Sequence, residues 1–176
     1  PLFGGSMLTP VIMTVEQAFQ EAGYTTLAFN FRGVGGSEGT HGEGWAEIAD
    51  VIGALGFLER VVGNRSLRLA VAGYSFGCYV GAMATATDPR VRFFLGVAPP
   101  LTRHDCRPLR HAICRVALIG ATRDEFCPRP MFEEFYLTLP AGPWSRLLDA
   151  DHGFTDALEP LSLACRDAVA WDSASV

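Results

Sequence analysis

At 176 residues and 19.0 kDa, the chain has room for one domain with a sizeable core. Its 49% hydrophobic content and mean hydropathy of +0.20 exclude disorder. The net charge of −5 excludes the basic footprint of a nucleic-acid binder. All 14 basic residues are arginine, which also rules out a lysine base or Schiff base.

Taken in order, residues 1–9 read as a Gly-rich loop, and Thr9-Pro10 as a helix start. Val11, Val15, Ala18, Phe19 and Ala22 make an apolar stripe that ends at Gly23. Residues 24–31 are a near-continuous apolar run, predicted as a strand, followed by a glycine-rich loop. That loop is not a dinucleotide fingerprint, because Glu38 stands where the last glycine would be. Trp45, Ile48, Ile52, Leu55 and Leu58 predict a second amphipathic helix, ending near Gly63. Strands are predicted at 67–72, 91–97, 115–119 and 146–148, with helices to about residue 87, over 130–139, and over about 156–171. The stretch 101–111 is polar and reads as a loop above the sheet. Apolar strands alternating with helices imply a mostly parallel sheet with helices on both faces, a three-layer α/β sandwich forming a single domain.

Five cysteines at irregular spacing, with no C-x-x-C, argue against a disulfide framework or a zinc site. Idle thiols fit a reducing compartment, so a cytoplasmic location is expected, with no metal and no cofactor. No apolar run is long enough to span a membrane, and no signal peptide is visible. The first residue is proline, so a natural N-terminus upstream, with or without a leader, is compatible with the sequence.

The chemistry centres on Gly73-Tyr74-Ser75-Phe76-Gly77, which stands between a predicted strand and a helix of small residues. Strand, G-x-S-x-G, helix is the setting of a nucleophile elbow, in which a sharp, strained turn lifts the serine hydroxyl clear of the backbone. A serine in a Gly-rich turn also serves as an ordinary helix N-cap. A serine nucleophile needs a base, and the base an orienting acid. Asp124 lies five residues past Ile119 and His152 four past Leu148, so both reach the rim where Ser75 sits. Asp105 is the competing acid, in the polar stretch; His41, His104 and His111 are the competing bases, and none follows the last strand. Asp149 and Asp151 read as turn residues. Arg32, Glu38 and Trp45 either line a substrate mouth or act as loop scaffolding.

Four segments carry a family resemblance: residues 29–39, 73–77, Gly120-Ala121-Thr122-Arg123-Asp124-Glu125-Phe126-Cys127-Pro128, and Ala150-Asp151-His152-Gly153-Phe154. Through them the chain resembles the α/β-hydrolase superfamily over nearly its whole length, and looks closest to the small, lidless bacterial-type serine hydrolases. Pro1-Leu2-Phe3-Gly4-Gly5-Ser6-Met7 matches the end of their His-Pro-x-Pro-like segment. The resemblance implies Ser75 as nucleophile, His152 as base and Asp124 as its acid. It implies an oxyanion hole from the amide of Phe76 and that of Leu2 or Phe3. It also implies further strands before residue 1, one of them between the strands predicted at 24–31 and 67–72. The chain is therefore expected to be an N-terminally truncated hydrolase, its two strands either lacking a neighbour or pairing directly.

The function expected is hydrolysis of a small carboxylic ester or thioester through an acyl-enzyme, with a small acyl substrate as the only partner. A non-catalytic binding domain of the same fold is the alternative. A peptidase ranks lower, since no amine-binding carboxylate or large cap is evident. Oligomeric state and substrate identity have no signature in the sequence.

Overall fold

The structure, a computed structural model, describes residues 4–63, 67–140 and 142–174. Four strands, β1 (Leu69–Tyr74), β2 (Val91–Val97), β3 (Arg115–Arg123) and β4 (Trp144–Asp151), form one sheet in the order β1-β2-β3-β4. Every pairing is parallel, so each strand delivers its carboxyl end to the same rim. Five helices connect and flank them: α1 (Pro10–Glu21), α2 (Trp45–Val62), α3 (Phe76–Thr87), α4 (Arg129–Leu137) and α5 (Leu158–Ser173).

Both faces of the sheet are buried. One core joins Val51 and Leu55 of α2, Val80 of α3 and Phe132 of α4 to Val71, Phe94 and Leu118 of the strands. The other joins Val11 and Phe19 of α1 and Leu161 and Cys165 of α5 to Phe93, Leu95 and Ile119. Alternate residues of β2 therefore enter opposite cores, and this two-sided burial is why the strand is apolar throughout. The expected three-layer α/β architecture is present.

Two details differ from the sequence reading. Residues 24–31 belong to no sheet, because among the described residues no strand pairs with them and β1 is itself an edge. In α2 the inward residues are Glu47, Val51 and Leu55, while Trp45 and Ile52 face outward. The cause is Glu47, fully buried, whose carboxylate accepts the Gly42 and Gly44 amides at 2.7 and 2.8 Å. Once that cap fixes the first turn, the helical period places Val51 and Leu55 inward.

All five cysteines are free. Burial pushes the Cys106, Cys127 and Cys165 thiols up to about 12 and Cys114 to about 11. The unfolded chain ionises its thiols near pH 9 and the folded one does not, so stability is complete below that pH and is lost as pH rises toward 12. Urea midpoints should fall steeply between pH 9 and 11, each thiol contributing up to about 1.4 kcal/mol per pH unit. A flat midpoint over that range would contradict the burial of these thiols.

Candidate active site

The elbow forms where β1 ends and α3 begins. Ser75 adopts φ 51° and ψ −118°, a strained backbone for a residue with a Cβ. Two hydrogen bonds hold it there: the Ser75 amide donates to the Val97 carbonyl at 2.9 Å, and the Tyr79 amide donates to the Ser75 carbonyl at 3.1 Å. The strand and helix meet so closely that a Cβ on Gly73 would stand 2.2 Å from the Gly77 carbonyl oxygen. Ser75 makes no side-chain cap to its helix, so the N-cap role does not occupy its hydroxyl.

That hydroxyl faces His152 instead. His152 follows β4 and Asp124 follows β3, on the rim where β1 delivers Ser75. The His152 Nε2 lies 2.8 Å from the Ser75 Oγ, and its Nδ1 lies 2.8 Å from the Asp124 Oδ2. Asp124 is buried, and its other oxygen accepts the amides of Phe126 at 2.8 Å and Cys127 at 3.1 Å. Those two bonds leave Oδ2 free to face the imidazole. Serine, imidazole and carboxylate thus form one hydrogen-bonded line across three loops.

Around this line are groups that the sequence motifs did not single out. The Tyr74 hydroxyl donates to the His152 carbonyl at 3.1 Å, fixing the loop that carries the imidazole. Burial first, then the Asp124 and Asp151 carboxylates, push the Tyr74 phenol up to about 12, so it remains a donor. Phe126 packs edge-on against the His152 ring at 4.8 Å. Both neighbour motif residues, but no local pattern marks a side chain that supports a loop distant in sequence.

The competing residues are engaged elsewhere. Asp105 is exposed and paired with Arg107 at 2.7 Å. His41 lies 3.0 Å from Glu47, and His104 stacks on Tyr79 at 4.5 Å between ring centres. Burial, then Arg103 and His41, lower the His104 pKa, favouring its neutral form. His111 ends a short 3-10 helix over Arg107–His111, within the stretch read as a loop. Asp149 pairs with Arg123, and Asp151 accepts the Thr155 amide and hydroxyl; both stand in the last residues of β4, not in a turn as expected. Arg32 is scaffolding, clamped on Asp50 at 2.6 Å, and Trp45 is exposed.

No acceptor lies within reach of the Phe76 amide among the described residues, so it stands free at the helix N-terminus beside the serine. Leu2 and Phe3, the other expected oxyanion donors, lie outside the described residues. No cluster of three or more His, Cys, Asp or Glu that could hold a metal occurs among the described residues.

The sequence matches the model of the alpha/beta hydrolase family across residues 4–174. The chain belongs to that family. Its structure is similar to that of an alpha-beta serine hydrolase homologue from Coxiella burnetii, with TM-score 0.88 and 28% identity over 95% of this chain and 79% of that one. A putative alpha/beta hydrolase of unknown function from Agrobacterium tumefaciens is similar at TM-score 0.90 and 28% identity, over 97% of this chain and 80% of that one. A serine hydrolase without a lid from Xanthomonas campestris gives TM-score 0.85 and 28% identity, over 96% of this chain and 76% of that one. An uncharacterized protein of Rickettsia prowazekii is 35% identical over 101 residues, 57% of this chain and 42% of that relative. The match thus spans less than half of that relative's length. Among the described residues, no helix is long and apolar enough to cross a membrane.

Proposed function

We propose that the chain is a serine hydrolase that cleaves a small carboxylic ester or thioester through an acyl-enzyme. The observation that carries this reading is the line from Ser75 Oγ through the His152 ring to Asp124, with both contacts at 2.8 Å.

In this mechanism His152 carries its proton on Nδ1, donating to Asp124, and its Nε2 accepts the Ser75 proton. The serine oxygen bonds to the acyl carbon, and the carbonyl electrons move onto its oxygen. The Phe76 amide donates to that oxyanion, where its interaction is stronger than with the neutral carbonyl. Collapse of the tetrahedral species breaks the bond to the leaving oxygen or sulfur, which takes the proton from His152. Water then enters, loses a proton to the same imidazole and releases the acid, restoring Ser75. The strained backbone at Ser75 keeps its hydroxyl exposed through both halves of the reaction. A cytoplasmic setting belongs to the same proposal, and the free, mostly buried cysteines suit it.

A fluorophosphonate probe tests this reading, because it phosphonylates only an activated serine. The wild-type chain should label within minutes, and Ser75→Ala should not label above background. Equal labelling of the two proteins would reject Ser75 as nucleophile.

A further inference from the structure

At least nine of the 14 arginines hold a carboxylate, Arg107 on Asp105 among them. Arg103 is not one of these, and its side chain donates no hydrogen bond among the described residues. Its guanidinium carbon lies instead 5.3 Å from the centre of the Phe126 ring. The same ring packs against His152 at 4.8 Å. Together the two spacings hold the guanidinium within about 10 Å of the imidazole. The turn that carries it is anchored. The Thr102 amide and hydroxyl both donate to the Phe126 carbonyl, at 3.0 and 3.1 Å, and the Arg103 amide donates to the Pro100 carbonyl at 2.9 Å. Arg103 also borders an open hollow of about 450 Å3 between residues 101–110 and α4, so a ligand reaches it without displacing a side chain.

The rim around Ser75 therefore has two unlike sides. Past Phe76 stand further apolar rings, Phe31 at 5.7 Å from it and Phe29 at 5.3 Å from Phe31. Past Phe126 stands a cation that no carboxylate answers. His104 beside it favours its neutral form, burial being the first cause, so Arg103 supplies the charge there. Water alone can satisfy an exposed guanidinium. Stacked on a ring that packs against the base, however, its planar fork keeps its edge donors free, the geometry that takes a carboxylate or phosphate in two parallel bonds. In the reaction proposed above, the Phe76 amide takes the acyl oxygen and His152 gives its proton to the leaving atom. The acyl chain then lies toward the rings and the leaving group toward Arg103.

We propose that Arg103 selects substrates whose leaving group carries an anion, a carboxylate or a phosphate, an inference that rests on the hydrolase reading above. The substrate class is then an apolar acyl group joined to a hydroxy acid, to a phosphate-bearing alcohol or to the corresponding thiol. The link between leaving atom and anion is short. The contact of the leaving atom with the imidazole and that of the anion with the guanidinium each span about 3 Å. Within the spacing set by Phe126, that leaves only a few ångströms for the atoms between them.

The test compares 3-carboxyphenyl butyrate with 3-carbamoylphenyl butyrate, which has the same shape and no charge. A 3-phosphonooxyphenyl ester separates phosphate from carboxylate, the faster of the two anions naming the source. The ratio of kcat/KM values should favour the anion by about tenfold or more, carried in KM, and should fall toward one in Arg103→Met, which keeps the packing over Phe126. Arg103→Lys should restore part of the preference. Arg110→Met removes a charge beside the same hollow and should leave the ratio as it was. Calorimetric titration of the Ser75→Ala protein, with and without Arg103→Met, should show the same preference in binding. Equal ratios in wild type and Arg103→Met, or an equal fall in Arg110→Met, would overturn the proposal. So would equal or undetectable binding of the two butyrates by Ser75→Ala. A binding preference in a chain that a fluorophosphonate does not label would support the anion site and reject only the serine hydrolase reading.

Discussion

Replacing Asp124 with asparagine is expected to lower kcat by about 10^4 while leaving the fold and KM nearly unchanged. The size of the effect follows from the amides that hold the carboxylate. Phe126 and Cys127 both donate to Oδ1. An asparagine must therefore put its carbonyl oxygen there and turn its NH2 toward His152. That NH2 can only donate. The imidazole must then accept at Nδ1 and carry its proton on Nε2, where it faces Ser75 and cannot take the hydroxyl proton. Hydrolysis of a p-nitrophenyl ester, alongside a urea melt, checks both halves of the expectation. A fall below tenfold would mean that Asp124 does not set the imidazole tautomer.

The second large effect is on folding. Gly73→Ala should destabilise the chain by more than about 3 kcal/mol or prevent folding. The new Cβ would meet the Gly77 carbonyl oxygen at 2.2 Å, its carbonyl carbon at 2.4 Å and the Cys78 nitrogen at 2.7 Å. These are backbone atoms of the first turn of α3, so no rotamer relieves the contact. Gly53→Ala is the matched control. It lies inside α2 with nothing within 4 Å of its Cβ direction, and should raise stability by roughly 0.5–1 kcal/mol through helix propensity. Urea midpoints that fail to separate the two variants would refute the close strand–helix approach at the elbow.

The candidate site was legible because each of its members is announced locally. Ser75 lies between two glycines at a strand–helix junction, while Asp124 and His152 each follow an apolar strand. A parallel sheet sends all strand ends to one rim, so finding the strands was enough to bring the three side chains together. Tyr74 and Phe126 were not legible as supports for His152, because their contacts join residues 78 and 26 positions apart. The inward face of α2 was misread for a related reason. Hydropathy favours Trp45 and Ile52 as inward residues, but two loop amides draw the Glu47 carboxylate inside.

Residues 24–31 mark the boundary between the two kinds of information. Their composition suits a buried strand, yet a strand is defined by hydrogen bonds to a neighbour that composition cannot supply. By itself the sequence determined the alternation of strands and helices, the parallel sheet and the three residues at its rim. Those properties follow from periodicity, turn residues and strand ends within short stretches of chain. Only the tertiary structure decided which edges pair, which side of α2 is buried and which groups hold the imidazole. These depend on contacts between distant segments, where packing and hydrogen bonding outweigh local preference.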